Sequence, residues 1–228
     1  MSEARDNRDA EYLAEAREFS EKLSASLPDR IQAAALTLQS KLPFKVLSIR
    51  ELLLHRMAAL SSAAVDLFTQ KRIIPAVIVT RAIAETLAVL FTFHERLDRF
   101  LKEKAKDIGA FDDFLMRSLV GARNNPEMPA ATNILTFVDR VEKTTPGFRH
   151  VYDALCEYAH PNWAGTFGVF GQIDQEKFEL KLGPAERSTA YSTGLAALSS
   201  SLMLFEHYYN DSAELVRQFN DYFEGLPS

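Results

Sequence analysis

The chain has 228 residues, with 26 basic and 31 acidic side chains, a single cysteine and a formal charge of −5. A chain of this length suits one domain that buries roughly 70% of its unfolded surface, so neither disulfides nor a structural metal is needed to hold a core. The lone Cys156 excludes a disulfide framework and suits a reducing cytosol, and the acidic balance argues against a dedicated nucleic-acid binder.

The first 27 residues carry Tyr12, Leu13, Ala16, Phe19 and Leu23 at helical spacing with a charged opposite face, which predicts a charged N-terminal helix over 6–27. Residues 1–21 contain no apolar run of the kind a signal peptide needs. Pro28 breaks the pattern, and Asp29 is placed to cap a second helix over 30–41. Pro43 opens a long helix to about Gln70, with Leu47, Leu53, Leu54, Met57, Leu60, Ala64 and Phe68 on its apolar side.

Residues 73–106 form the longest helical run, apolar in its first two thirds and charged in its last. Within it, 73–93 is the one membrane candidate. Arg81 and Glu85 lie near its centre, where each charge costs about 2.5–3.5 kcal/mol to insert, so a buried helix of a soluble bundle is the better reading. Gly109 marks a break, a short helix follows over 111–120, and Gly121–Thr132 reads as a loop or lid. Helices over 133–142 and 148–160 flank the turn Thr144–Gly147, and Pro161 stops the second of them.

Alternation over 165–173 and 178–182 predicts a β-hairpin inserted at 165–182, with its turn at Asp174–Lys177. Helix returns over 185–210, where small residues from Gly194 to Ser201 permit close packing. Asp211 or Ser212 caps a final helix to Phe223. The fold class expected is all-α, a single domain over 1–228 with seven or eight helices and one hairpin.

Two groups of residues carry chemistry. Arg81 and Glu85 share a helix face at i,i+4 inside the least polar segment. They form either a structural ion pair that fixes helix register or an arginine held by a carboxylate to receive an anionic group. Tyr152, Cys156 and His160 line one face of a later helix at i, i+4 and i+8. Cys156 sits in a helix interior, where no dipole activates it, and reads as a small hydrophobe. His160 ends the helix, either capping it while Trp163 staples the turn to the core, or lining a pocket with Arg81, Glu85 and Tyr152. One Cys and scattered His residues make no metal spacing, so neither a metal nor another cofactor is expected. The aromatics of the C-terminal segment (Phe205, Tyr208, Tyr209, Phe219, Tyr222 and Phe223) read as core or a dimer seam.

The segments TRAIAE (80–85) and YDALCEYAHPN (152–162), followed by a hairpin and more helix, resemble a group of bacterial helical proteins related in outline to the HEPN superfamily. The resemblance spans about 73–210 through short motifs, and its matching positions are Arg81, Glu85, Tyr152 and His160. It implies a helical, often dimeric fold. In many members it also implies metal-independent ribonuclease activity in toxin–antitoxin or phage-defence systems. That activity uses an Arg separated from a His by four to six intervening residues. Positions 153–155, which precede His160 at the required distance, are Asp, Ala and Leu, so the nuclease motif is missing there. Arg50 and His55 in RELLLH match the spacing, a match that sixteen arginines and five histidines produce by chance.

Three functions follow as expectations for a cytoplasmic protein outside the membrane. The leading one is a homodimer that binds a protein partner or a small anionic, nucleotide-like ligand through Arg81, Glu85, Tyr152 and His160. The second is an RNA-cleaving effector with His160 as general acid–base and Arg81 on phosphate charge. The third is a structural or regulatory dimer.

Overall fold

The computed structural model describes residues 2–122, 124–184 and 188–225. Among them the chain is all-α with one hairpin: α1 Ser2–Ala25, α2 Leu42–Thr69, α3 Ile73–Lys102, α4 Ile108–Leu119, α5 Ile134–Glu142, α6 Phe148–Ala159, a short α7 Gly168–Phe170, β1 Gly171–Asp174, β2 Glu179–Leu182 and α8 Thr189–Glu224. The expected start of the last helix at Ala185 lies outside the described residues.

Helix α3 is the axis of the bundle. It packs on α2 and α8 along its length, and on α5, α6 and α4 towards its flanks, while α1 lies across α2 and α8. The packing follows from sequence: Ile83, Leu87, Leu90 and Leu97 recur at helical spacing on α3 and are fully buried. Each such side chain contributes about 1.5–3 kcal/mol by leaving water. Helices α2 and α3 are both long and apolar enough to cross a membrane by length and composition, and α3 has 56% of its most apolar window buried against its neighbours. Close approach of α8 depends on Gly194, where an added Cβ would stand 2.7 Å from the buried Phe68 ring.

Local signals place several boundaries. Pro43 occupies the first turn of α2, where its missing N–H is no loss. The Asp107 carboxylate accepts from the Ala110 N–H at 2.9 Å, so α4 begins before Gly109 and includes it. Asn133 caps α5 by accepting from Leu135 N at 3.0 Å. The turn before α6 is tied by the Glu142 carboxylate, which accepts the N–H groups of Gly147 (3.1 Å) and Arg149 (2.7 Å). These bonds hold its pKa below the usual carboxylate value. Gly147 supplies the left-handed residue that the turn needs, at φ 95°. The loop after α4 closes through the Ala122 N–H to the Pro129 carbonyl at 2.9 Å.

Five expectations are corrected. Residues 30–41 form no helix beyond a single 3₁₀ turn at Ala33–Ala35. The alanines favour helix, but the segment has no apolar stripe to bury, Leu38 stays 88% exposed, and a short helix without burial does not persist in water. It runs instead as a strap, pinned where the Thr37 N–H meets the Asn220 side chain (3.0 Å) and His55 Nε2 meets the Pro28 carbonyl (2.8 Å).

Residues 165–170 are helical, so the hairpin begins only at Gly171. Asn162 caps this stretch by accepting from Gly165 N at 3.0 Å, and Gly165 sits so tightly that an added Cβ would lie 2.1 Å from the His160 carbonyl oxygen. Trp163 does not staple the turn to the core; it is 69% exposed and stacks on Phe167.

Neither Asp211 nor Ser212 starts a helix, because α8 runs unbroken through both. Ser212 is buried, and its hydroxyl donates to the Tyr209 carbonyl at 2.7 Å, which satisfies it inside the helix. Finally, α3 stops at Lys102. The Lys106 ammonium folds back to donate to the carbonyls of Phe100, Leu101 and Glu103 at the helix end.

The hairpin pairs Ile173 with Leu180 and Gly171 with Leu182, which gathers its apolar side chains on one face. That face is uncovered: Leu182 is 82% exposed and Phe178, at the turn, 95%.

Candidate functional site

Helices α3 and α6 pack side by side, and this contact brings three of the four sequence-derived site residues together. Arg81 Nε stands 3.4 Å from Glu85 Oε1 along α3. The Tyr152 hydroxyl on α6 donates to the same oxygen at 2.9 Å. Tyr152 is buried, Glu85 is half-buried, and the Arg81 side chain is 34% exposed. The remaining Arg81 N–H groups have no hydrogen-bond partner among the described residues.

The electrostatics give each of the three side chains a fixed role. Burial, reinforced by the hydrogen bond to Glu85 and its charge, pushes the Tyr152 phenol well above its ordinary value. Tyr152 therefore stays protonated and serves as a donor that fixes the Glu85 carboxylate. Glu85 in turn holds Arg81 by one nitrogen. The outcome is a guanidinium anchored at its stem with donors left for an anion.

His160 is not part of this group. It lies past the end of α6 with an extended backbone (φ −83°, ψ 147°), its N–H donates to the Cys156 carbonyl at 3.1 Å, and its residue is exposed. Among the described residues, its imidazole makes no hydrogen bond or ion pair with Arg81, Glu85 or Tyr152, nor with the helix-end carbonyls. The face Tyr152–Cys156–His160 leaves the core as it runs: buried, half-buried, exposed. Cys156 is a free thiol beside Tyr152. No group of three His, Cys, Asp or Glu that could hold a metal ion occurs among the described residues.

A second polar cluster escaped the sequence reading. Arg50 and Glu51 on α2 are both buried. Arg50 Nη1 donates to Glu51 and, at 2.9 Å, to the Tyr209 hydroxyl; Nε donates to Ser212 Oγ at 2.9 Å, and Nη2 to the Tyr209 carbonyl at 3.0 Å. The guanidinium also lies 3.6 Å from the Tyr209 ring centre. Tyr209 donates to Glu51 Oε2 at 2.7 Å, and burial together with that bond raises its pKa against the opposing pull of Arg50. Every arm of this guanidinium is engaged, so the cluster pins α2 to α8 and offers nothing to a ligand. Its signal was legible: Arg50 falls on the stripe formed by Val46, Ile49, Leu53 and Leu54, where a charge must be paired.

Comparison of this chain with family models, curated proteins and solved structures finds no match in any of the three.

Proposed function

We propose that the chain is a HEPN-like helical binding protein of the cytosol, which holds a small carboxylate-bearing ligand against Arg81 at the α3–α6 seam. The observation that carries this reading is the relay Tyr152–Glu85–Arg81: a buried donor fixes a carboxylate, which anchors a guanidinium whose other donors have no partner among the described residues. A planar guanidinium presented in this way matches a carboxylate bidentately. Packing of the TRAIAE helix on the YDALCEYAHPN helix supports the family reading. The test is thermal unfolding of the full chain with succinate or acetate, at ionic strength matched by chloride. Stabilisation by either acid, lost in an Arg81→Ala variant of native helical content, is the expected result. A response that survives Arg81→Ala overturns the reading.

The hairpin favours a second reading, a dimer of identical chains. An isolated two-stranded hairpin is marginal in water, and among the described residues this one leaves Ile173, Leu180 and Leu182 largely uncovered on one face with neither outer strand edge paired. Two copies pairing symmetrically along β2 would form a four-stranded sheet and bury that face. Light scattering across a concentration series tests it: a dimer that Leu182→Asp converts to monomer is expected, and a wild-type monomer at every concentration overturns it.

A further inference from the structure

The far end of α3 carries a different arrangement of charge. Between α3, α4, α5 and the segment that leads into α5 lies a cavity of about 210 Å³, whose lining includes Arg96, Arg117, Arg140, Thr132, Thr136 and Phe114. Three arginines on one small wall repel one another unless each is matched. Two of them are: Arg140 Nη1 meets Glu95 Oε2 at 2.9 Å, and Arg117 Nε meets Asp113 Oδ2 at 3.1 Å. Glu95 is shared, because its other oxygen already takes Arg99 Nη2 at 3.0 Å, and Asp113 itself lies on the cavity wall.

Arg96 is the one left over. Among the described residues it forms no ion pair with a carboxylate, and its fully buried Nε has no hydrogen-bond partner. Its guanidinium lies over the Phe114 ring, 5.4 Å from the centre, and that apolar floor supplies no acceptor. Among the described residues, the cavity wall and its ion-pair partners bring four guanidinium groups (Arg96, Arg99, Arg117 and Arg140) against two carboxylates (Glu95 and Asp113), while Glu103 attracts Arg96 only at longer range. Burial, followed by the like charges of Arg140 and Arg99, opposes the charged form of Arg96. A cation kept in such a place, with an unused donor, is half of an interaction.

We infer that this cavity is a phosphoryl-binding site, in which Arg96 meets a tetrahedral oxyanion that Arg117 and Arg140 flank and the Thr132 and Thr136 hydroxyls help to hold. Size sets the class. The volume is below the roughly 300–1,000 Å³ of pockets that enclose a whole metabolite, so a phosphoryl group fits and any larger remainder of the molecule stands outside. Arginine forks match phosphate oxygens in pairs of parallel hydrogen bonds. The site is separate from the Arg81 relay, 15 residues away along the same helix.

The experiment is calorimetric titration and thermal unfolding of the full chain with inorganic phosphate, glycerol 3-phosphate and AMP, each in chloride buffer at matched ionic strength. Phosphate-dependent stabilisation is expected in the wild type and in Arg81→Ala. Arg96→Gln is expected to weaken binding by at least about tenfold, the loss of a hydrogen bond to a charged group. Because that substitution removes an unpaired buried donor, the variant should fold as well as the wild type. Arg117→Gln, on a largely exposed side chain, gives an independent second loss. Tighter binding of the two esters than of phosphate assigns the site to a phosphorylated molecule, and the reverse order assigns it to the free ion. No response to any of the three, or a response that Arg96→Gln leaves intact, overturns the inference.

Discussion

Tyr152 and Glu85 are joined across the α3–α6 seam by a 2.9 Å hydrogen bond in which the phenol is the donor. The Tyr152→Phe substitution removes that donor and leaves a half-buried carboxylate short of one partner. A loss of about 1–3 kcal/mol in denaturant-induced unfolding is expected, with Arg81→Ala adding less than its independent effect because both act on Glu85.

Alkaline pH tests the same bond and the Arg50 cluster together. The Tyr152 and Tyr209 phenols are both raised above the ordinary tyrosine value by burial and by hydrogen bonds to glutamates. In the unfolded chain they ionise near pH 10, whereas the folded chain keeps their protons. Their contribution is therefore complete below about pH 10 and declines as pH rises beyond it. Stability measured between pH 8 and 11 should fall above pH 10, and the slope should flatten in Tyr152→Phe and Tyr209→Phe.

The Arg50–Glu51 pair predicts a non-additive result. Arg50→Met alone strands a buried carboxylate and is expected to cost about 3–5 kcal/mol, as is the removal of Glu51 alone. The double variant Arg50→Met/Glu51→Leu should recover most of that loss. A denaturant-based double-mutant cycle measures it; additive losses would show that the two side chains act separately.

Gly194 tests helix packing. A Val side chain there meets the fully buried Phe68 ring and Val77, neither of which has space to retreat. Gly194→Val should destabilise by about 1–3 kcal/mol despite removing a helix glycine.

Phe178 tests the hairpin. It adopts φ 51°, a left-handed conformation that costs phenylalanine more than asparagine, and its ring is almost wholly in solvent. In dilute solution Phe178→Asn should hold or raise the melting temperature. A fall would mean that the ring is gripped by something.

Where burial and local propensity agreed, the sequence was enough. The start of α2 at Pro43, the apolar run of α3 and the end of α6 before Pro161 all follow from periodicity and proline geometry. Where they diverged, burial decided. The alanines of 30–41 had no core to join, and Ser212 looks like a cap until the Arg50 guanidinium claims its hydroxyl from another helix. The i,i+4 relation of Arg81 and Glu85 was readable because it lies within one helix. Their meeting with Tyr152 depends on two helices 67 positions apart in sequence, and the departure of His160 depends on how the chain turns at Pro161.

Helix α8 has a mechanical consequence. Its 36 residues extend about 54 Å without interruption. Near its start Ser192 bonds Asp9 of the first helix, and near its end Phe219 meets Phe111 of the fourth. A single stiff rod thus ties the first helix to the fourth, and no break in α8 lets the two ends swing apart. Melting should therefore proceed as one all-or-none event, and a protease acting on the native chain should nick the strap at 26–41 and the exposed hairpin.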